Sequence, residues 1–333
     1  MEDEDSYEGA RKIMKALVTG GTGFVGRRVV ERLLAERHSV RLFSRNRTLP
    51  ESLRGRDVEL FKGDLEKPET VVAAMEGREV FYHIGEVRNT SKAAAERNVR
   101  VVEAILANLA RAAVKRFVFV SSITVSGIPS AIPADEETKP GIVLNDHYTS
   151  YKRRCEELIS AAPADFAILR AATTYGPGSR YLGKFIGMLE TIGPFGLPFI
   201  GNARNVAPLI YVEDLARAVY LSGMKPAASR QTFILTDSLR HTWLDFFTET
   251  AGAVGKKVRI FPVPTLLLKL PSIPFSLFAD IFGFEFDLSG YVEFFSRDLY
   301  FDNAKARNLL DWQAEYSLAD GVREMVRSYK VGK

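Results

Sequence analysis

Tyr148 and Lys152 stand four residues apart in the run Tyr148-Thr149-Ser150-Tyr151-Lys152, inside a stretch that reads as a helix, so both side chains project from one face. The pairing of a phenol with an ammonium has a chemical purpose. A free tyrosine ionises at about pH 10, too high for efficient proton exchange at neutral pH, and a neighbouring positive charge favours the phenolate. Tyr148 is thereby a candidate general acid or base. Taken alone, the spacing arises by chance on exposed helix faces. Here a strand ending in Ser121-Ser122 precedes it, and that order of residue types points to catalysis. Ser122 is preferred to Ser121 and Thr124, because alternation along an extended segment turns Ser121 to the opposite side. Tyr151, directly beside Lys152, reads as a bystander at the wrong angle.

A second constellation, Thr19-Gly20-Gly21-Thr22-Gly23-Phe24-Val25-Gly26, lies between a strand and an amphipathic helix. Glycines at this spacing let the chain turn tightly, let its backbone approach a pyrophosphate, and let the helix pack closely on the sheet. The helix start then offers free N–H groups and the positive end of its dipole. Gly20, Gly23, Phe24 and Val25 are the candidate contacts of a dinucleotide. The second strand ends Leu42-Phe43-Ser44-Arg45-Asn46-Arg47, with no acid to accept from a ribose 2′-hydroxyl. Ser44 and Arg45 are instead candidates to hold a 2′-phosphate. The expectation is NADP(H) in preference to NAD(H), against the bland reading in which Arg45 and Arg47 are solvated loop charges.

The elements that must position these groups follow from the hydrophobic pattern. Short apolar runs at Lys15 to Thr19, Ser39 to Phe43, Val58 to Lys62, Val80 to His83, Arg116 to Val120 and Phe166 to Leu169 read as strands. Amphipathic stretches at Val25 to Glu36, Pro68 to Met75, Ala93 to Ala113 and Tyr148 to Ala161 are long enough for crossovers between parallel strands. The expected fold class is α/β: a Rossmann-like, doubly wound parallel sheet with a smaller C-terminal substrate-binding part. With 333 residues, about two structural units are expected at roughly 150 residues each. The division reads as a mobile acidic extension over 1–13, a dinucleotide-binding unit over 14–172 with a returning segment near 206–235, and a substrate part over 173–205 and 236–333.

Composition narrows the partners. The chain is 46% apolar and 26% charged with a formal net charge of +4, which fits a globular protein and shows no basic run of nucleic-acid type. A single cysteine, Cys155, and four histidines offer no disulfide and no metal-ligand spacing, and a reducing, cytoplasmic location is expected. Glu2, Asp3, Glu4, Asp5 and Glu8 are the opposite of a signal peptide's basic start. The greasy segment Phe261 to Phe286 is interrupted by Lys269, Asp280 and Glu285 and by four prolines. It therefore reads as an apolar pocket lining, with peripheral contact to a membrane or partner as the alternative, and not as a transmembrane span.

These residues together resemble the extended short-chain dehydrogenase/reductases, the NAD-dependent epimerase/dehydratase family. The resemblance runs from Met14 to about Tyr329 through the glycine loop, Gly63-Asp64-Leu65, His83, Asn98-Val99, Val120-Ser121-Ser122, Tyr148-x-x-x-Lys152, Arg170, Tyr175-Gly176-Pro177-Gly178 and Tyr211-Val212-Glu213-Asp214. It implies that Asp64 and Leu65 border an adenine, that Ile84 and Gly85 pass near the cofactor, and that Tyr175 follows the nicotinamide-side strand. It also implies that Lys152 binds the nicotinamide ribose and that Ser122 hydrogen-bonds the substrate oxygen. Asn98 reads as a buried hydrogen-bonder, and Asp214 as the cap of the helix Leu215 to Ser222. The family commonly has a small residue where this chain has Glu86, so an acid is expected to line the site.

The stretch Leu197 to Asn205 and Tyr211-Val212-Glu213-Asp214 look most like the 3β-hydroxysteroid dehydrogenase and dihydroflavonol reductase branch. Arg180, Lys184 and Arg204 are the nearby candidates for a diphosphate clamp, and Pro262 to Phe301 supplies an apolar lid. The expected activity is NADP(H)-dependent interconversion of a secondary alcohol and a ketone on a mostly apolar small molecule such as a sterol, polyketide or flavonoid-like ring. The alternatives are a nucleotide-sugar epimerase, dehydratase or reductase with tightly held NAD, and a non-catalytic cofactor sensor on the same fold. Family likeness implies a homodimer through the helices at Asn98 to Ala113 and Tyr148 to Ala161.

Overall fold

The computed structural model describes residues 13–87, 91–192, 196–265 and 288–331. In chain order the first half comprises β1 (Lys15–Thr19), α1 (Phe24–Ala35), β2 (Ser39–Ser44), β3 (Val58–Lys62), α2 (Pro68–Ala74), β4 (Val80–His83), α3 (Lys92–Leu106) and β5 (Arg116–Ser122). A short antiparallel pair, β6 (Ile128–Pro129) and β7 (Pro140–Ile142), leads to α4 (His147–Ala161) and β8 (Phe166–Ala171). The second half holds β9 (Thr173–Tyr175), α5 (Arg180–Ile192), β10 (Leu197–Ile200), β11 (Leu209–Tyr211), α6 (Val212–Met224), β12 (Gln231–Leu235), α7 (Trp243–Ala253) and β13 (Ile260–Val263). Beyond them come α8 (Leu288–Ser296), α9 (Ala304–Leu310) and α10 (Leu318–Val331).

Seven strands form one parallel sheet in the order β12-β8-β5-β4-β1-β2-β3. The order reverses direction between β1 and β4, which is where a doubly wound sheet opens a crevice at its carboxyl edge. Six of these strands coincide with the runs read from sequence, and β12 is the seventh. The match is close because parallel strands buried on both faces read as continuous apolar segments. Along β5, Val118 and Val120 enter the layer shared with α1 and α6, while Phe117 and Phe119 enter the opposite layer with α2, α3 and α4. Two-fold alternation of the strand thus feeds two cores. Helix α3 ends earlier than expected, at Leu106, and single turns carry the chain to Ala113, which adopts a left-handed φ of 56° before β5 begins.

A third apolar cluster gathers residues of β9, β10, β11, α5, α7, α8 and α10, with Tyr175, Tyr211, Trp243, Phe246 and Phe247 among its large members. Asp214 ties this region to the C-terminal segment. Its carboxylate accepts the N–H groups of Glu315 (3.0 Å) and Tyr316 (3.2 Å), and its backbone carbonyl accepts Trp312 Nε1 (2.9 Å). Sequence reading made Asp214 a helix cap. The structure corrects that: it lies in the first turn of α6 but turns away from the orphan donors of its own helix to those of the 315–316 loop. The greater part of the expected lid, 266–287, lies outside the described residues, as do 1–12 of the expected acidic extension. Among the described residues no helix is long and apolar enough to cross a membrane.

Candidate active site

The nucleotide loop is built by close backbone contact. Gly20 has φ +71°, and a Cβ there would lie 2.5 Å from the Gly85 nitrogen, so β1 and β4 approach across the crevice only because both residues lack side chains. A Cβ on Gly26 would lie 2.3 Å from the Gly20 carbonyl oxygen, which itself accepts Gly23 N–H at 2.8 Å. Helix α1 opens at Phe24 with no side-chain cap and no acidic residue in its first turn, leaving its leading N–H groups and dipole for an anion. The loop is locked underneath. Thr19 Oγ1 lies 2.8 Å from His83 Nδ1 and accepts Gly85 N–H at 3.2 Å. Burial pushes the His83 imidazole down to about 3, so it is neutral.

At the adenine end, Thr70 Oγ1 accepts Asp64 N–H at 3.0 Å, and Asp64 Oδ1 accepts Glu66 N–H at 3.1 Å, an Asx turn that fixes the loop after β3. Leu65 packs beside Gly85, whose Cβ would lie 3.3 Å from it. Ser44 is buried and its hydroxyl accepts Asn46 N–H at 3.1 Å, while Arg45 and Arg47 are exposed. Ile84, partly buried, packs against the core layer of α1. The glycine cradle and the open helix start fit a dinucleotide. Gly20, Gly23, Phe24, Val25, Asp64, Leu65, Ile84 and Gly85 would line its path, with Ser44 and Arg45 at the ribose beyond β2.

Tyr175 is placed differently from expectation. It is 1% exposed, with Tyr211 at 5.5 Å and Phe246 at 5.7 Å between ring centroids, so its side chain belongs to the third apolar cluster while its backbone leads into the loop of Gly176, Pro177 and Gly178. That loop is bound to the nucleotide end by Arg28, which donates from Nε to Glu213 Oε1 and through its guanidinium NH2 to the Pro177 carbonyl, both at 2.9 Å.

The candidate residues Tyr148 and Lys152 lie on α4, and Lys152 reaches across to the backbone of β5. Asp146 caps α4 by accepting Thr149 N–H at 2.9 Å. Lys152 is buried; its Nζ donates to the Val120 carbonyl at 2.9 Å and lies 5.6 Å from the Tyr148 ring centroid and 5.0 Å from that of Phe119. Ser122, buried two residues after Val120, receives Thr124 Oγ1–H at 2.9 Å. Ser121 does face the other way: it donates to Glu156 Oε1 at 2.5 Å, and Glu156 also binds Arg170 from β8 through Nε and NH2. This buried pair pins the middle of α4 to β5 and β8.

One residue set aside in the sequence belongs to the cluster, beside an acid that was expected there. Tyr151 is buried, edge-to-face with Tyr148 at 5.4 Å, and its hydroxyl donates to Glu86 Oε2 at 2.5 Å. The reading of Tyr151 as a bystander is corrected: positions three apart on a helix are neighbours, so 148, 151, 152 and 155 share a face. Glu86 Oε2 also lies 3.7 Å from Lys152 Nζ, which places an acid at the site as expected. Asn98 is the buried hydrogen-bonder it was read to be: it accepts Val87 N–H at 2.7 Å and donates to the Val87 carbonyl at 3.1 Å, fixing the chain next to Glu86.

Sheet order, glycine cradle and tyrosine–lysine helix together define an NAD(P)-dependent oxidoreductase of the extended short-chain dehydrogenase/reductase type. The model of the NAD dependent epimerase/dehydratase family matches residues 16–234, and the chain belongs to that family. A UDP-glucose 4-epimerase of Vibrio cholerae is 26% identical, covering 96% of this chain and 97% of its own. A ceramide reductase of Caulobacter vibrioides is 29% identical over 74% of this chain and 73% of its own. A 3beta-hydroxysteroid-dehydrogenase/decarboxylase of Arabidopsis thaliana is 25% identical over 94% of this chain, which spans 61% of that longer protein.

Proposed function

We propose that this chain interconverts a secondary alcohol and a ketone on a mostly apolar small molecule, using NADP(H). The observation that carries the reading is Lys152, whose Nζ lies 5.6 Å from the Tyr148 ring centroid and binds the Val120 carbonyl, two residues before Ser122. Tyr148 exchanges a proton with the substrate oxygen, Lys152 supplies positive charge against the Tyr148 ring and holds the ribose, and Ser122 donates to the substrate oxygen as charge develops on it. When bound, the nicotinamide supplies or takes the hydride.

An apolar substrate is favoured by the third apolar cluster, where Phe199, Trp243, Phe247 and Phe295 pack together, and by relatives named for ceramide and 3β-hydroxysteroid chemistry. Lys184 and Arg204, two candidates for a diphosphate clamp, are exposed. The rival, a nucleotide-sugar epimerase, is favoured by the Vibrio relative. NADP(H) is preferred because Ser44 and Arg45 replace the usual acid. We read 14–172, with the return near 206–235, as the cofactor unit and 173–205 with 236–333 as the substrate part, in a cytoplasmic homodimer formed through α3 and α4. Light scattering showing a monomer would remove the dimer.

The experiment is to denature freshly purified protein and identify released nucleotide by mass spectrometry. Near-stoichiometric NAD would overturn the assignment in favour of an internally recycling epimerase or dehydratase. An empty protein that binds added NADPH more tightly than NADH supports an exchanging reductase, and turnover of lipophilic ketones should then be lost in Tyr148→Phe while cofactor stays bound. A cellular role that survives Tyr148→Phe would make the protein a cofactor sensor.

A further inference from the structure

Glu86 follows β4, and the proton exchange described above leaves it without a task. Its position is nonetheless built. Asn98 clamps both backbone groups of the adjacent Val87, the Tyr151 hydroxyl donates to Glu86 Oε2 at 2.5 Å, and the same oxygen lies 3.7 Å from Lys152 Nζ. Three elements, α3, α4 and the end of β4, thus aim one carboxylate at the ammonium that faces Tyr148.

The other titratable groups around this point are neutral or matched. His83 on β4 is neutral at working pH. On α4, burial raises the Tyr151 phenol well above its ordinary value and pushes the Cys155 thiol up to about 12, and Glu156 is paired with Arg170 of β8. Glu103 on α3 and Arg154 on α4 act on Cys155 with opposite signs. Within this set, the Lys152 ammonium lies against the Tyr148 ring and the Glu86 carboxylate lies against Lys152.

We propose that Glu86 is a positioning residue of the reaction centre: its carboxylate offsets the Lys152 ammonium, so Tyr148 keeps its proton at neutral pH and the site is set to reduce a carbonyl. The proposal rests on the assignment of Tyr148 and Lys152 given above. An ammonium alone draws the phenol toward phenolate; a carboxylate beside it cancels much of that pull. In the reductive direction Tyr148 gives its hydroxyl proton to the carbonyl oxygen while the carbonyl carbon accepts hydride, the two electrons coming from the reduced nicotinamide. Water then returns a proton to Tyr148, so ketone, NADPH and one proton become alcohol and NADP⁺.

The test is the ionisation of Tyr148 in the full chain saturated with NADP⁺, followed by NMR of [¹³Cζ]tyrosine, with Tyr148→Phe identifying its resonance among the 12 tyrosines. Glu86→Gln and Glu86→Leu should each lower the midpoint by about one pH unit. An unchanged or raised midpoint in both would overturn the role of Glu86 while leaving Tyr148 as the acid. A Tyr148 resonance that titrates at the ordinary tyrosine value in wild type and variants alike would instead overturn the catalytic assignment. Glu86 is 41% exposed, so both variants should keep the wild-type circular dichroism; loss of fold in both would make Glu86 structural and also overturn the proposal.

Discussion

Replacing Glu156 by glutamine probes how the reaction helix is held. Glu156 accepts Arg170 Nε at 3.1 and 3.2 Å, the Arg170 NH2 at 2.8 Å and the Ser121 hydroxyl at 2.5 Å, with its side chain 8% exposed. Glutamine keeps the volume and one acceptor oxygen. It also points an amide donor at the guanidinium and leaves that cation without its counter-charge. Breaking a buried pair costs about 3–5 kcal/mol, and because Arg170 keeps 19% of its side chain in water the lower end, about 3 kcal/mol, applies. Replacing both partners, Glu156→Leu with Arg170→Met, removes both buried charges. Its cost should fall short of the sum of the singles by about 2 kcal/mol or more.

Urea unfolding of wild type, Glu156→Leu, Arg170→Met and the double, followed by circular dichroism, measures the coupling, with Glu156→Gln melted beside them. Glu156 sits one turn beyond Lys152 and two beyond Tyr148, so a loosened α4 also displaces the reacting groups. A shift of order 1 Å costs about 100-fold in rate, and Glu156→Gln should therefore lower turnover more than cofactor affinity. Singles that cost under about 1 kcal/mol, or a double that is additive within about 0.5 kcal/mol, would refute the pinning role.

Gly20→Ala should abolish dinucleotide binding, read by quenching of tryptophan fluorescence on NADPH addition, because the new methyl meets the Gly85 backbone at 2.5 Å and φ is +71°. Arg45→Ala should lower the preference for NADPH over NADH by roughly tenfold, as expected for one lost charge-assisted contact of about 1.5 kcal/mol; an unchanged ratio of dissociation constants would return Arg45 to solvent. Asp237 is buried and held up to about 7, chiefly by desolvation with Asp214 adding to it. Its folded value exceeds the ordinary 3.8, so its stability cost is absent below that value and grows as pH rises toward 7, reaching about 4 kcal/mol above it. Asp237→Asn, which keeps an acceptor for Leu239 N–H, should raise Tm at pH 8 and not at pH 4. His83 runs the other way: with a folded value of about 3 against 6.5, stability is full above 6.5 and falls by about 2 kcal/mol by pH 5, a loss that thermal melts of His83→Gln should not show.

Much of this architecture was legible because its signals are local. Strand limits fall where apolar runs end, and the glycine loop announces itself by residues that no side chain could replace. Ser121 could be set aside by alternation alone, and it does point to Glu156. What escaped the sequence depends on partners distant along the chain. Tyr175 looks like a site residue until β11 and α7 bring Tyr211 and Phe246 onto it. Asp214 looks like a cap until residues 315 and 316 arrive with unpaired N–H groups. Tyr151 was within reach of helical geometry, but only the return of Glu86 from β4, 65 positions earlier, gives its hydroxyl a function.

The same placement bears on how one fold serves both an internally recycling epimerase and an exchanging reductase. Gly20, Gly85 and the open start of α1 impose a dinucleotide without choosing its fate, since backbone contacts to a pyrophosphate are common to both. In the proposed reading the choice falls to groups that differ in sign: the exposed Arg45 beyond β2, and Glu86 against Lys152 at the start of α4. An epimerase must take hydride from an alcohol and return it, so its tyrosine must serve as phenolate in the first half and as phenol in the second, whereas a reductase needs only the phenol. In the proposed reading a carboxylate next to the lysine weighs against the first half alone. In the proposed reading, the charge at Glu86 links the ionisation of Tyr148 to the direction of reaction that the released nucleotide would independently report.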